Sequence, residues 1–336
     1  MIKMKAIIIP SFKGGYKITE TEIPRPNKDE VLVKVKLGAL CYRDLLQLQG
    51  YYPRAKYPLI LGHEMVGVIE DVGENVEGYS NGDRVTTMLY VPDWKCDACK
   101  LGEEYYCKNS KVYSQELDGF FAEYALVKWS TLVKIPSDVG DEAAVVTPCV
   151  SAMVLRGLKR SGIREGDYVL VTGAGGGVGV HAVQMAKALG GKVIAVTSSE
   201  DKAKFLSKIA DHVIVGNKFS EDVRKIGDVR IVIDNVGPFT FDETLRVLKQ
   251  GGKVIQIGNI DPSQSVNLRL GYLILKNIEI IGHAGAGKRD IEEALSLARE
   301  GKWRPVVSNI LSFEEIEKGL QMLREKSNLG KILLRF

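Results

Sequence analysis

No stretch of the 336-residue chain is apolar for long enough to cross a bilayer. The opening residues, Met1-Ile-Lys-Met-Lys5, lack the apolar core of a signal peptide. Together these absences predict an intracellular, cytoplasmic protein. A long run of like charge is also missing. The net charge of +4 comes from 46 basic and 42 acidic residues spread along the chain, which offers neither nucleic acid nor a membrane surface a patch to bind. Internal repeats and low-complexity segments are absent, and 45% apolar with 26% charged residues is an ordinary globular composition. The length allows two domains. Cysteines are few and odd in number: five, so an all-disulfide framework would leave one over. Cys96, Cys99 and Cys107 cluster, whereas Cys41 and Cys149 stand apart. Clustered cysteines in an intracellular chain are more often metal ligands than disulfides.

What is present is organised around residues 168–199. Tyr168-Val-Leu-Val-Thr172 is a continuous apolar run, as in a strand buried on both faces. Gly173-Ala-Gly-Gly-Gly-Val-Gly179 follows, with five glycines in seven residues that let the backbone turn tightly and approach a ligand. A helix then carries Ala182, Met185, Ala186 and Leu189 on one stripe and His181, Gln184 and Lys187 on another. That places His181 at the surface, and His212 reads the same way. Lys192-Val-Ile-Ala-Val-Thr197 is the next strand. Strand, glycine loop and helix start form a pyrophosphate site. Gly173, Gly175, Gly176, Gly177, Val178 and Gly179 are its candidate residues, although the strict Gly-x-Gly-x-x-Gly pattern is not met, since its sixth position is Val178. An acid about 20 residues on would hold the ribose hydroxyl of NAD. Here the strand ends Thr197-Ser198-Ser199 with Lys202 and Lys204 beyond, which suits the 2'-phosphate of NADPH over NADH. Glu200 and Asp201 stand against this unless they are first-turn helix acids.

Before this unit, residues 1–150 read as short strands broken by turns and prolines, a β-rich, barrel-like domain. Candidate strands are 4–9, 31–36, 65–70 and 84–89. After it, apolar strands at 212–215, 229–234, 253–258 and 278–281 alternate with helices, which predicts a doubly wound parallel sheet. Residues 290–300 read as a helix, and Ser312-x-x-Glu315 is a capping box opening another.

Two constellations suit a metal. Cys41, His63 and Cys149 would leave a zinc ion an open fourth position, the arrangement of a catalytic site. Glu64 is either a transient fourth ligand or a supporting group, and Asp44 is placed to hydrogen-bond His63 and fix its tautomer. Cys96-x2-Cys99-x7-Cys107 supplies three thiolates, and Asp93 lies one such spacing upstream, so a closed structural zinc site is predicted. A lobe that has lost its metal is the alternative.

These residues resemble the zinc-containing medium-chain dehydrogenases and reductases. The marks are Gly62-His63-Glu64, Cys41, Cys149, the 93–107 lobe, Asp118-Gly-Phe-Phe-Ala-Glu-Tyr124 and the glycine loop, and the likeness covers essentially the whole chain. It implies an α/β fold. A GroES-like β-barrel-type catalytic domain would take residues 1–150, completed by 288–336. A Rossmann domain with a six-stranded parallel sheet would take 151–287, and the last strand, 331–336, would return to the first domain. The resemblance further implies hydride transfer in the interdomain cleft, cofactor contacts at Asn235, Gly258 and Asn259, and a homodimer or homotetramer. His283 lies where a cofactor or subunit contact would pass, with a satisfied structural histidine as the alternative; Tyr272 and Trp303 read as packing.

One departure matters. Zinc alcohol dehydrogenases place Ser or Thr two residues after the first zinc cysteine to relay the alcohol proton, and here Arg43 stands there. A guanidinium is a poor proton acceptor. The stretch 41–54, Asp93, Pro148-Cys149 and Gln256-Ile-Gly-Asn-Ile-Asp-Pro262 are similar to an archaeal branch, the acryloyl-CoA reductases. That similarity implies a thermophilic archaeal source and NADPH-dependent reduction of a short 2-enoyl-CoA thioester, acryloyl-CoA to propionyl-CoA. Tyr52 matches the catalytic tyrosine of other enoyl thioester reductases, with a packed loop aromatic as the alternative. Asp44, Tyr52 and Glu64 are thus the candidate catalytic residues, and Tyr52, Tyr42 or water at the metal the candidate acid. Lys288-Arg289 reads as a solvated helix start, with a CoA phosphate as the alternative. The competing functions are a zinc alcohol dehydrogenase with a rearranged proton relay and a non-catalytic NADPH-binding protein.

Overall fold

The computed structural model describes residues 2–336. Short strands with alternating burial build the first part of the chain. In Glu30–Leu40, Val31, Val33 and Val35 face the core while Lys34 and Lys36 face solvent. This strand is the hub of a seven-stranded sheet. Met65–Val72 and Tyr124–Lys128 pair with it antiparallel, and so does the last strand, Lys331–Arg335. Val307–Ser312 lies beyond the last strand, parallel to it. The chain's end thus returns to its beginning, as expected.

Six further strands form one parallel sheet: β1 (Tyr168–Val171), β2 (Lys192–Thr197), β3 (His212–Val215), β4 (Val229–Asp234), β5 (Leu248–Gln256) and β6 (Glu279–Gly282). Their spatial order is β3-β2-β1-β4-β5-β6, so the order reverses between β1 and β4 and opens a crevice at the carboxyl ends. Continuous apolar runs such as Val169, Leu170 and Val171 are buried because helices cover both faces. The expected capping box is present, with Ser312 and Glu315 opening a short 3-10 turn into the helix Ile316–Glu325.

The two sheets share a core. Leu37, Val66 and Leu333 of one pack in the same cluster as Val171, Val193 and Ile233 of the other. The link is the helical run 141–161. Pro148 has no N–H to give, so the helix widens there, and the Ala152 N–H reaches back to the Thr147 carbonyl. Cys149 sits in this wide turn.

His212 is exposed as expected, but His181 is fully buried, which corrects the surface placement. On the polar stripe of the helix Gly179–Ala188, His181 and Gln184 face protein and satisfy the backbone of residues 304–306, whereas Lys187 is exposed. Gln184 bonds both polar groups of Arg304. His181 Nδ1 donates to the Gly177 carbonyl (2.8 Å) and Nε2 accepts the Val306 N–H (3.1 Å), with Trp303 packed edge-on. Burial pushes the ring from its ordinary 6.5 down to about 4. The unfolded ring therefore binds more protons than the folded one between those values, and stability rises with pH across the window. Urea unfolding should cost about 2 kcal/mol less at pH 5 than at pH 7 on account of this ring alone. His181→Gln should flatten that difference; an unchanged difference would contradict the assignment. His283 is the satisfied structural histidine, with Nε2 bonded to the Met153 carbonyl at 2.7 Å.

Candidate active site

Cys41 follows the hub strand and is the N-cap of the short helix Tyr42–Leu48. Its N–H donates to Asp44 Oδ2 (2.9 Å), and Asp44 Oδ1 takes His63 Nδ1 (3.2 Å). One buried carboxylate therefore holds both residues and turns His63 Nε2 inward. His63 follows Gly62, whose φ is +92° and whose added Cβ would lie 2.2 Å from the Phe121 ring. The Asp118–Phe121 stretch clamps this loop. Asp118 accepts the Ile60 N–H, and the N–H groups of Phe120 and Phe121 donate to the Gly62 and Leu61 carbonyls.

The ligand atoms of Cys41, His63, Glu64 and Cys149 all lie within 4.8 Å of one another. Cys149 Sγ stands 3.5 Å from His63 Nε2, and the edge of a tetrahedron with zinc–ligand bonds is about 3.6 Å. Glu64 Oε2 is buried without a partner, an acceptor left over for a cation. The donor set and its geometry thus fit a zinc ion. Hydrogen bonding from Cys149, against burial, and the nearby His63 and Lys331 hold the Cys41 thiol well below its usual range, toward the thiolate that binds metal.

Lys331 went unnoticed in the sequence. It is 3% exposed, and its Nζ meets Glu64 Oε1 at 2.7 Å. Burial works against its charge, and Glu64, Cys41 and Cys149 more than restore it. Burial pushes the Glu64 carboxyl up to about 7, with Lys331 pulling the other way. The Lys331 stem also passes Gly177, where an added Cβ would come within 2.9 Å of its Cδ. The last strand therefore wedges a cation between the metal cluster and the glycine loop. A lysine opening the otherwise apolar Lys331-Ile-Leu-Leu was the available signal.

Arg43 lies across the Tyr52 ring, 5.3 Å from its centre, and donates to the Tyr113 carbonyl at 3.2 Å. Burial pushes the Tyr52 hydroxyl up to about 12, with Arg43 opposing, so it stays protonated at neutral pH. Tyr42 donates to the Ile260 carbonyl at 3.1 Å and is engaged there.

In the second cluster, Asp93, Cys96, Cys99 and Cys107 also lie within 4.8 Å of one another by ligand atom. Cys96 and Cys99 sulfurs are 3.4 Å apart, and Asp93 Oδ1 is 3.5 Å from Cys99 Sγ. The same oxygen accepts the Lys95 and Cys96 N–H groups, and Asn109 holds the other. Asp93 is thereby fixed as a donor facing three sulfurs.

At the glycine loop, an added Cβ on Gly179 would lie 2.2 Å from the Gly173 carbonyl, so helix and strand meet at this glycine. The extra loop residue is taken up by a turn in which the Gly176 N–H bonds the Gly173 carbonyl. Gly175 is covered by the Lys202 stem, whose Nζ donates to the Lys326 carbonyl at 2.6 Å. Across the crevice, Asn235 donates to the Thr172 carbonyl (2.9 Å) while its Oδ1 is buried without a partner. Gly258 packs on the Asn235 carbonyl so closely that no Cβ fits, and exposed Asn259 lies beside Gly237. Asp234, also unnoticed in the sequence, ties this floor together by accepting from Thr172, Thr240, Thr244 and the Val236 and Gly237 N–H groups. These close approaches and the orphaned amide oxygen fit a dinucleotide. At the tip of β2, Ser198 is exposed, Thr197 accepts the Ser199 N–H, and Ser199 caps the next helix. Glu200 and Asp201 are that helix's first-turn acids, and Asp201 pairs with Lys204.

Residues 27–137 match the alcohol dehydrogenase GroES-like domain, and residues 177–300 match the zinc-binding dehydrogenase family. The acryloyl-coenzyme A reductase of Sulfurisphaera tokodaii is 58% identical over 99% of this chain and 100% of that protein. The chain belongs to the zinc-containing medium-chain dehydrogenases and reductases. It is an enzyme of the oxidoreductase class. The acryloyl-coenzyme A reductase of Metallosphaera sedula is 57% identical over 98% of this chain and 99% of its own length. Among solved structures, AibC superposes with a TM-score of 0.92 at 34% identity, covering 99% of this chain and 96% of that one. Two residues after Cys41, Arg43 packs on Tyr52.

Proposed function

We propose that this enzyme reduces the carbon–carbon double bond of a short 2-enoyl-CoA thioester, acryloyl-CoA to propionyl-CoA, with NADPH. The observation that carries this reading is Arg43 stacked on Tyr52 beside an intact Cys41–His63–Cys149 donor set. Arg43 stands where the relay hydroxyl of alcohol oxidation would sit, while a protonated phenol is at hand. The two acryloyl-coenzyme A reductases, alike over their whole length, support the same substrate class.

A zinc ion on Cys41, His63 and Cys149 would polarise the thioester carbonyl as a Lewis acid. NADPH, its pyrophosphate at the glycine loop, would supply hydride to the β-carbon. Asp44 keeps His63 in the tautomer that offers Nε2. Lys331 holds Glu64 beside the cluster. Tyr52 gives its proton to the α-carbon, and Arg43 keeps the ring in place. Residues 1–150 with 288–336 make the catalytic domain and 151–287 the cofactor domain. Asp93, Cys96, Cys99 and Cys107 hold a second, structural zinc. NADPH is preferred over NADH because the β2 tip has hydroxyls and Lys202 in place of a carboxylate. Leu270, Ile274 and Leu275, 65%, 73% and 78% exposed beside the edge strand β6, suit a subunit contact, so the chain is a homo-oligomer.

The donor set itself favours one competitor, a zinc alcohol dehydrogenase with another proton acceptor. NADPH oxidation should be fast with acryloyl-CoA, slower with NADH, and negligible with a panel of aldehydes. Turnover of aldehydes alone would overturn the proposal.

A further inference from the structure

We propose that the open cleft between residues 53–56 and 108–116 binds the phosphates of the substrate's coenzyme A tail. The inference rests on the enoyl-CoA reading and adds the place where the tail is held. The cleft has a volume of about 730 Å³ and carries four cationic side chains, Arg54, Lys56, Lys108 and Lys111, against one acid, Glu116. Glu116 is already engaged, pairing with Arg54 and accepting the Val112 N–H. Arg54 also donates to the Ser110 carbonyl. The ammonium groups of Lys56, Lys108 and Lys111 enter no ion pair among the described residues. Three like charges gathered on one cleft without counter-charge make a site for a polyanion.

Position argues for the substrate's own phosphates. One wall continues directly from Tyr52: the Ala55 N–H bonds the Tyr52 carbonyl, and the Lys56 N–H bonds the Gln115 carbonyl. Arg54 follows Tyr52 by two residues, a reach of about 7 Å at most. The other wall follows Cys107, and the bond from Asn109 to Asp93 ties it to the cysteine lobe. The pantetheine arm separates the thioester from the phosphates, so their cations must stand away from the reacting carbon. A cleft just beyond the Tyr52 loop meets that requirement. Of the other basic candidate, Lys288-Arg289, Lys288 is occupied, with Nζ on the Tyr79 hydroxyl and its N–H on Glu104, which leaves Arg289 as a lone exposed cation.

The test is the K56E/K111E double variant, assayed with acryloyl-CoA and with acryloyl-pantetheine, which lacks the nucleotide and its diphosphate. Both positions are exposed, and retained NADPH binding verifies the fold. The KM for acryloyl-CoA should rise about tenfold or more at little changed kcat. The KM for acryloyl-pantetheine should match the wild type. Added salt should raise the wild-type KM for acryloyl-CoA more steeply than the variant's. An unchanged KM for acryloyl-CoA, or an equal rise for both substrates, would overturn the site while the reduction of enoyl thioesters stands. A wild-type enzyme inactive on both thioesters would overturn the substrate reading and this site together.

Discussion

Cys41→Ala should lower the rate of acryloyl-CoA reduction by about a thousandfold or more, and zinc content should fall from two ions per chain to one. The expected loss follows from removing a Lewis acid whose stabilisation of charge on the thioester oxygen is worth several kcal/mol; about 4 kcal/mol is a thousandfold. His63 and Cys149 alone do not complete a zinc site, and Glu64 is tied to Lys331 through one oxygen. NADPH binding should survive, because the glycine loop and its floor of Asp234, Asn235 and Gly258 are built without Cys41. Metal analysis, NADPH fluorescence titration and rate measurement on one preparation would check all three. A folded variant with one zinc and wild-type turnover would remove the metal from the chemistry.

Lys331→Met should be the most destabilising single change near the site, by about 3–5 kcal/mol. The variant leaves Glu64 fully buried without its ammonium partner, next to the Cys41 sulfur that already disfavours a negative group. The replacement is close in length, so the loss is electrostatic and not a cavity. The double variant E64Q/K331M should recover most of the stability, because the uncompensated charge is then gone. Denaturant melts of the wild type, both single variants and the double variant form the cycle. Purely additive losses would contradict a coupled pair. The partners are 267 residues apart in the chain, which is why pattern reading missed them.

That miss shows what was legible. Features encoded within a few residues could be read directly. The cysteine spacing placed Asp93 against three sulfurs, the alternation of strands and helices implied the parallel sheet, and Ser312 with Glu315 marked a helix start. The shift of the tight glycine to Gly179 was visible as an extra loop residue, though its reason, contact with the Gly173 carbonyl, was not. Features made by distant segments stayed hidden. The periodicity of residues 179–188 correctly separates an apolar from a polar stripe, but it does not say that residues 303–306 cover the polar one. Arg43 was readable as a substitution at a relay position, whereas its stacking on Tyr52 needed the loop at residues 49–56 to fold back over it. Asp234 looked like the last residue of a strand until five donors were seen to converge on its carboxylate.

The most direct test of the central claim is the position of the transferred hydrogen. NADPH deuterated at the nicotinamide C4 should be incubated with acryloyl-CoA and the product examined by mass spectrometry and NMR. The account predicts propionyl-CoA with a single deuterium on the β-carbon and a solvent proton on the α-carbon. Deuterium delivered to the carbonyl carbon, giving an aldehyde or alcohol with the double bond intact, would contradict it.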